Sequence, residues 1–172
     1  MLYHLSEEPG IEIFHPRPSK SFPDLQPVVW AIDHEHAPHY YFPRDCPRVI
    51  YSKPKGAAVE DTGSFFEHTS ADKIIAVESA WLERIRHTRL YRYTFAEDSF
   101  TLFDETAGYY ISLEEVSPVN VEPMGDLLSK LLQEPVELRF TPDLHPLRNR
   151  IIQSTLDFSI IRFGNAVPSK YY

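Results

Sequence analysis

"VVWAI", Val28–Ile32, decides the fold. A short, continuous apolar run of β-branched and aromatic residues predicts a central strand covered on both faces. Asp33 follows it directly as a cap for a short helix over roughly 34–42, provided that Pro38 falls in the first turn. Toward the N-terminus, "LYHLS" (2–6) and "IEIF" (11–14) read as strands separated by the Pro9-Gly10 turn signal. Between them and the central run, Pro16, Pro18, Pro23 and Pro27 predict an extended loop.

Toward the C-terminus, "FPRDCPRVIYS" turns sharply and enters a strand near Arg48–Tyr51, and residues 53–64, rich in Lys, Gly, Ala and Thr, predict a mobile loop. "KIIAVES" (73–79) reads as a buried strand and "SAWLERIRHT" as a helix with Trp81, Leu82 and Ile85 on one face. "RLYRYTF" (89–95) alternates as a strand does, and "FTLFD" and "GYYISLEE" form a hairpin pair. "VSPVNVE" leads through Pro123 to the amphipathic helix "MGDLLSKLLQ". "VELRF" is a strand, and Thr141-Pro142 marks the start of a helix through "LHPLRNRIIQST". "FSIIRF" closes the domain as a last strand, and "SKYY" reads as a terminal tail. The expected fold is α+β, a single globular domain over residues 1–172 with a twisted, mostly antiparallel sheet and short flanking helices.

A net charge of −8 excludes a broad phosphate-binding surface of the kind that nucleic-acid binders use, while leaving room for a small basic pocket. The lone cysteine, Cys46, excludes an intramolecular disulfide and is expected to be packed rather than nucleophilic. With no signal-type segment and no long apolar run, a cytoplasmic protein with no membrane association is expected. Ten tyrosines and 11 phenylalanines supply more ring surface than a core of this size needs, which points to a lined pocket or a partner surface.

Three constellations carry candidate chemistry. "DHEHAPH" holds Asp33, His34, Glu35, His36 and His39, but no standard zinc spacing, so no metal site is assigned. Arg17, Arg44 and Arg48 have the side chain suited to phosphate or carboxylate; the alternative is an internal Arg–Asp pair that stiffens the "PRDCPR" turn. "GYYISLEEV" places two tyrosines ahead of Glu114 and Glu115 near a strand end, where a carboxylate in a cleft stabilises developing positive charge and an exposed one is simply solvated. No phosphate loop, nucleophile elbow or dinucleotide fingerprint is present.

"LYHLSEEPGIEIF", "PVVWAID", "YYFPRDCPRV" and "AWLERIR", with "GYYIS" and "STLDFSIIR", resemble an uncharacterised family of small bacterial proteins along nearly the whole chain; that likeness implies no activity. At superfamily level, "LYH" on a first strand, an extended loop and a "VWA-D" strand leading into a short helix are similar to the opening of ADP-ribosyltransferase-like folds, the group of the RNA 2′-phosphotransferases. That resemblance implies NAD as the ligand, with His4 on its ribose, Tyr40 or Tyr41 on nicotinamide and Glu114 or Glu115 as a catalytic carboxylate. The arginine set of the phosphotransferases is not recognisable here, and Arg17, Arg44 and Arg48 are the residues that would take similar parts. The sequence departs from the pattern in having no Gly-Thr or Gly-Ser after "LYH" and no basic face. The leading expectation is a cleft for NAD or another nucleotide-like ligand, in an ADP-ribosyl or phosphoribosyl transferase if the cleft is catalytic. The alternative is a non-catalytic interaction module with an aromatic surface; oligomeric state is not legible.

Overall fold

β2 (Val29–Ile32) lies inside a sheet, hydrogen-bonded on one side to β1 (Leu2–Ser6) and on the other to β7 (Tyr109–Ser112). The computed structural model describes residues 1–169, so the "SKYY" tail falls, after Ser169, outside the described residues. The chain divides into two compact units, the first made of Met1–Tyr41 with Arg89–Gly125 and the second of Phe42–Thr88 with the chain from Asp126 onward.

The first unit is a six-stranded sheet that adds β5 (Tyr91–Phe95), β6 (Thr101–Asp104) and β8 (Asn120–Pro123) in the order β6-β7-β2-β1-β5-β8. Every pair is antiparallel. Alternation sends Val29 and Ala31 of the apolar run to one face, where they join Leu2, Tyr93, Phe95, Phe100 and Val116. Burying Leu2 and Phe95 there stabilises the unit by roughly 1.5–3 kcal/mol each. Trp30 and Ile32 face the other way. "IEIF" differs from its expected strand: only Phe14 pairs, in one bridge to Val116. The segment lies over the sheet face, with the Phe14 ring edge-on to Tyr93 (5.1 Å) and Phe95 (5.0 Å). "NVEP" is β8, a strand that its proline concealed; it is an edge strand, where a missing backbone donor is tolerated.

The second unit is a four-stranded sheet, β10 (Asp157–Ile161), β3 (Arg48–Ser52), β4 (Lys73–Glu78) and β9 (Glu137–Thr141), with only β4 and β9 parallel. One face carries Val49, Tyr51, Ile74 and Ala76 against Phe65 and Phe66 of α1 (Val59–Phe66), with Leu144 and with Ile151 of α4 (His145–Ile151). α2 (Leu82–His87) and α3 (Leu127–Gln133) bury Ile85, Leu127 and Leu131. Asp126 caps α3 by accepting from Leu128 N–H and Ser129 N–H.

Two local expectations shift. The second half of the predicted 53–64 loop is the start of α1, held by its two phenylalanines and by Thr155, whose Oγ1 accepts the Ala58 N–H at 2.9 Å. That support comes from a residue remote in sequence, which local composition does not register. α4 begins later than Thr141-Pro142 because Thr141 still pairs with Glu78 in the sheet, and Asp143 accepts the His145 N–H at 2.8 Å instead. The class stands as α+β with mostly antiparallel pairing and short helices, its strands shared between two sheets. Among the described residues no helix is long and apolar enough to cross a membrane.

Candidate functional site

His4 sits on β1 opposite Tyr93, on the face of the first sheet that carries Leu2 and Phe95. Its Nδ1–H donates to the Trp30 carbonyl at 3.0 Å and its ring meets Phe14 edge-on at 5.0 Å. Tyr3 and Arg92 lie on the opposite face, as the one-residue alternation of a strand requires. There the Arg92 guanidinium lies over the Tyr3 ring at 5.0 Å, is paired with Glu122, and donates to the Tyr41 hydroxyl at 3.4 Å. His4 and Tyr41 therefore address opposite faces of one sheet.

The expected carboxylates join neither. Glu115 pairs with His15 at 2.6 Å, both side chains being more than half exposed, and the exposed Glu114 donates its N–H to Ser112 Oγ at 3.2 Å. Arg17 is exposed and pairs with Val28 through its backbone. Arg44 and Arg48 belong to the second unit. Arg48 is buried, donates to the Cys46 carbonyl at 2.7 Å and lies over the Phe42 ring, so it stiffens its own turn. Burial pushes the neighbouring Cys46 thiol up to about 12, against the opposing pull of Arg48, which makes it a packed cysteine.

The first unit does gather functional groups, around the end of β2. Asp33 Oδ1 accepts from the His36 backbone N–H at 2.8 Å and from His36 Nδ1–H at 2.7 Å. That contact fixes the tautomer: with the proton on Nδ1, the neutral ring carries its lone pair on Nε2, the form needed to accept a proton or a ligand hydrogen bond. The buried His39 ring meets His36 edge-on at 5.3 Å. Asp33–Tyr41 reaches this shape because Asp33 N–H donates to the Gly108 carbonyl and Ala37 N–H donates to the Asp33 carbonyl, and residues Ala37–Tyr40 then form a 3-10 turn with Pro38 at its start.

Gly108 is essential to the fit. Its φ is +67°, and a Cβ there would fall within 2.7 Å of Asp33 Oδ2 and 2.6 Å of His36 Cγ. Next to it, the Tyr109 hydroxyl shares a 2.6 Å hydrogen bond with that of Tyr40. From Tyr109 a row of rings runs along the same sheet face: Trp30 (5.6 Å), Phe103 (5.2 Å from Trp30) and Phe22 (5.5 Å from Trp30). Phe22 comes from the proline-punctuated loop that also carries Arg17. Beside the cluster the exposed His34 lies 6.0 Å from the Tyr3 ring.

Of the residues expected from sequence, the structure thus brings Tyr40 into one place with Asp33, His36 and His39. It adds Tyr109, Trp30, Phe103 and Phe22, which sequence reasoning did not assign to that place. The "GYY" glycine at a hairpin turn was the available signal; the register that puts Tyr109 opposite Ile32 was not. Among the described residues no group of three or more His, Cys, Asp or Glu side chains is placed to hold a metal ion.

Fold and site together define an α+β protein whose first sheet bears a ring-lined face, with a carboxylate–imidazole pair in the turn after β2. The chain belongs to a family of unknown function, DUF6886, which residues 3–166 match. No curated protein and no solved structure matches it.

Proposed function

We propose that the first unit binds a small nucleotide-like ligand, NAD or a fragment of it, along the ring-lined face. One observation carries the reading: the row Phe22–Trp30–Phe103–Tyr109 ends at the Tyr40–Tyr109 hydroxyl pair, and Gly108, next to Tyr109 in the chain, abuts the Asp33–His36 pair. The rings supply apolar contact for a planar base, and the paired phenol hydroxyls fix its polar edge. Exposed Arg17, on the loop that supplies Phe22, is a cation suited to a phosphate. Binding through this face does not use His4 or Glu115.

Calorimetric titration with NAD, ADP-ribose and adenosine tests the proposal. A saturable heat is expected with at least one of them, weakened about tenfold or more by Tyr109→Ala, equivalent to about 1.4 kcal/mol. No heat from any of the three at millimolar concentration, with the protein folded, would rule the reading out.

A further inference from the structure

We propose that Phe163–Val167 is a detachable strap, locked by the Glu78 carboxylate over the carboxyl ends of β4 and β9. Glu78 is the last residue of β4 and is fully buried, opposite Thr141, the last residue of β9. A buried carboxylate must be hydrogen-bonded, and Val167 N–H supplies a donor to both of its oxygens, at 3.1 Å each; Leu144 N–H approaches Oε1 at 3.5 Å. The strap has two further holds. Asn165 Nδ2 donates to the Asp45 carbonyl at 2.8 Å. The Phe163 ring lies between the His145 ring (4.9 Å) and the Arg148 guanidinium (5.4 Å), and Asp143 fixes His145 at 2.8 Å.

Three features make this hold reversible rather than part of the core. No residue of the strap is buried, and Phe163 is only partly covered. Arg162, the residue that leads into it, has φ 53°, a left-handed conformation that a non-glycine side chain adopts under strain. The charge of Glu78 would regain hydration on opening, and Arg148 Nε, buried with no hydrogen-bond partner among the described residues, would gain water as well. Opening would present Glu78 beside the Asp143–His145 pair, a carboxylate and an imidazole held at the ends of adjacent parallel strands.

Hydrogen exchange on the full chain, read by mass spectrometry, tests the lock. The Gly164–Val167 amides are expected to exchange slowly in the wild type and about tenfold to a hundredfold faster in Glu78→Gln, the span expected for losing a hydrogen bond to a charged group, while Val49 and Ile75 amides keep their protection. Val167→Pro removes the donor from the strap side alone, and Ala166, at φ −65° and ψ 153°, already has the backbone that precedes a proline. It is expected to release Gly164–Ala166 in the same way, and it decides the matter if Glu78→Gln does not fold. Unchanged strap exchange in the variants would overturn the lock. Strap and sheet amides accelerating together would overturn detachability.

Discussion

Two aspartate–histidine pairs, one in each unit, share a local design and differ in what surrounds them. In both, a single Oδ1 accepts a backbone N–H and the imidazole Nδ1–H of the same histidine: Asp33 with His36, and Asp143 with His145. Asp143 is the more deeply set, its side chain 11% exposed against 30% for Asp33. Its histidine meets Phe163, and the residue after it, Leu144, donates toward buried Glu78. Asp33 is instead followed by a turn that sets His39 against His36 and delivers Tyr40 to Tyr109 of the ring row. The same short-range hydrogen bonds thus fix a histidine tautomer in both places. Longer-range neighbours decide whether that histidine lies beside the Gly108 turn of the ring-lined sheet or beside the Phe163 ring and buried Glu78.

Two positive-φ glycines of the first unit, Gly108 and Gly125, should differ most. Gly108→Ala collides with His36 and Asp33 at φ +67°, and a loss of about 3 kcal/mol or more is expected in urea unfolding. Gly125→Ala, at φ +70° with nothing within 4 Å, carries only the left-handed strain of about 1 kcal/mol. Equal losses would mean that the Asp33–His36 pair is not seated against the Gly108 backbone.

The two carboxylates differ in what their removal exposes. Asp143→Ala is expected to cost about 2 kcal/mol and Asp33→Ala about 1 kcal/mol, because the first leaves more deeply buried donors unsatisfied. If Asp33→Ala proved the more costly, the assignment of structural and ligand-type roles would be reversed.

In alkaline solution, the contribution of Cys46 reports on the second unit. Cys46 has a folded pKa of about 12 against an ordinary value of 9.0, because burial opposes its ionisation. Between those values the unfolded chain loses a proton that the folded chain keeps, so this contribution to stability is complete below about pH 9 and falls as pH rises toward 12. Burial raises Tyr51 as well, which adds a loss of the same sign. Unfolding midpoints should therefore fall less steeply with pH in Cys46→Ala than in the wild type; parallel slopes would show that the thiol is not buried. The smallest effect is reserved for the exposed pair: Glu115→Gln should change stability by less than about 0.5 kcal/mol and leave the calorimetric titration untouched.

The sequence carried the local layers of this structure well. The apolar Val28–Ile32 run marked an interior strand and Pro38 marked the turn after it, although the helix expected over 34–42 shortens to the 3-10 turn Ala37–Tyr40 with His36, not Asp33, at its N-cap; the two hairpin halves "FTLFD" and "GYYIS" pair as β6 and β7. Features set by distant partners were not legible. The 53–64 stretch reads as a loop until Thr155 and the core under Phe65 and Phe66 are known, and β8 hides behind a proline that only an edge position permits. The site shows the same division. Asp33, His36, His39 and Tyr40 are close in sequence and were visible together. Their convergence with Tyr109 and Trp30 depends on the β2–β7 register, and strand alternation places His4 and Tyr41 on opposite faces.

The central claim, that the ring-lined face of the first unit takes a nucleotide-like ligand, is tested most directly through Trp30. The chain has two tryptophans, and Trp81, in the second unit, packs against Arg84. Trp81→Phe therefore leaves Trp30 as the sole indole reporter. Titrating that variant with NAD, ADP-ribose and adenosine should give a saturable change in Trp30 emission that follows the calorimetric curve and disappears in Tyr109→Ala. Ligand heat without any change in Trp30 emission would place binding elsewhere and contradict the account.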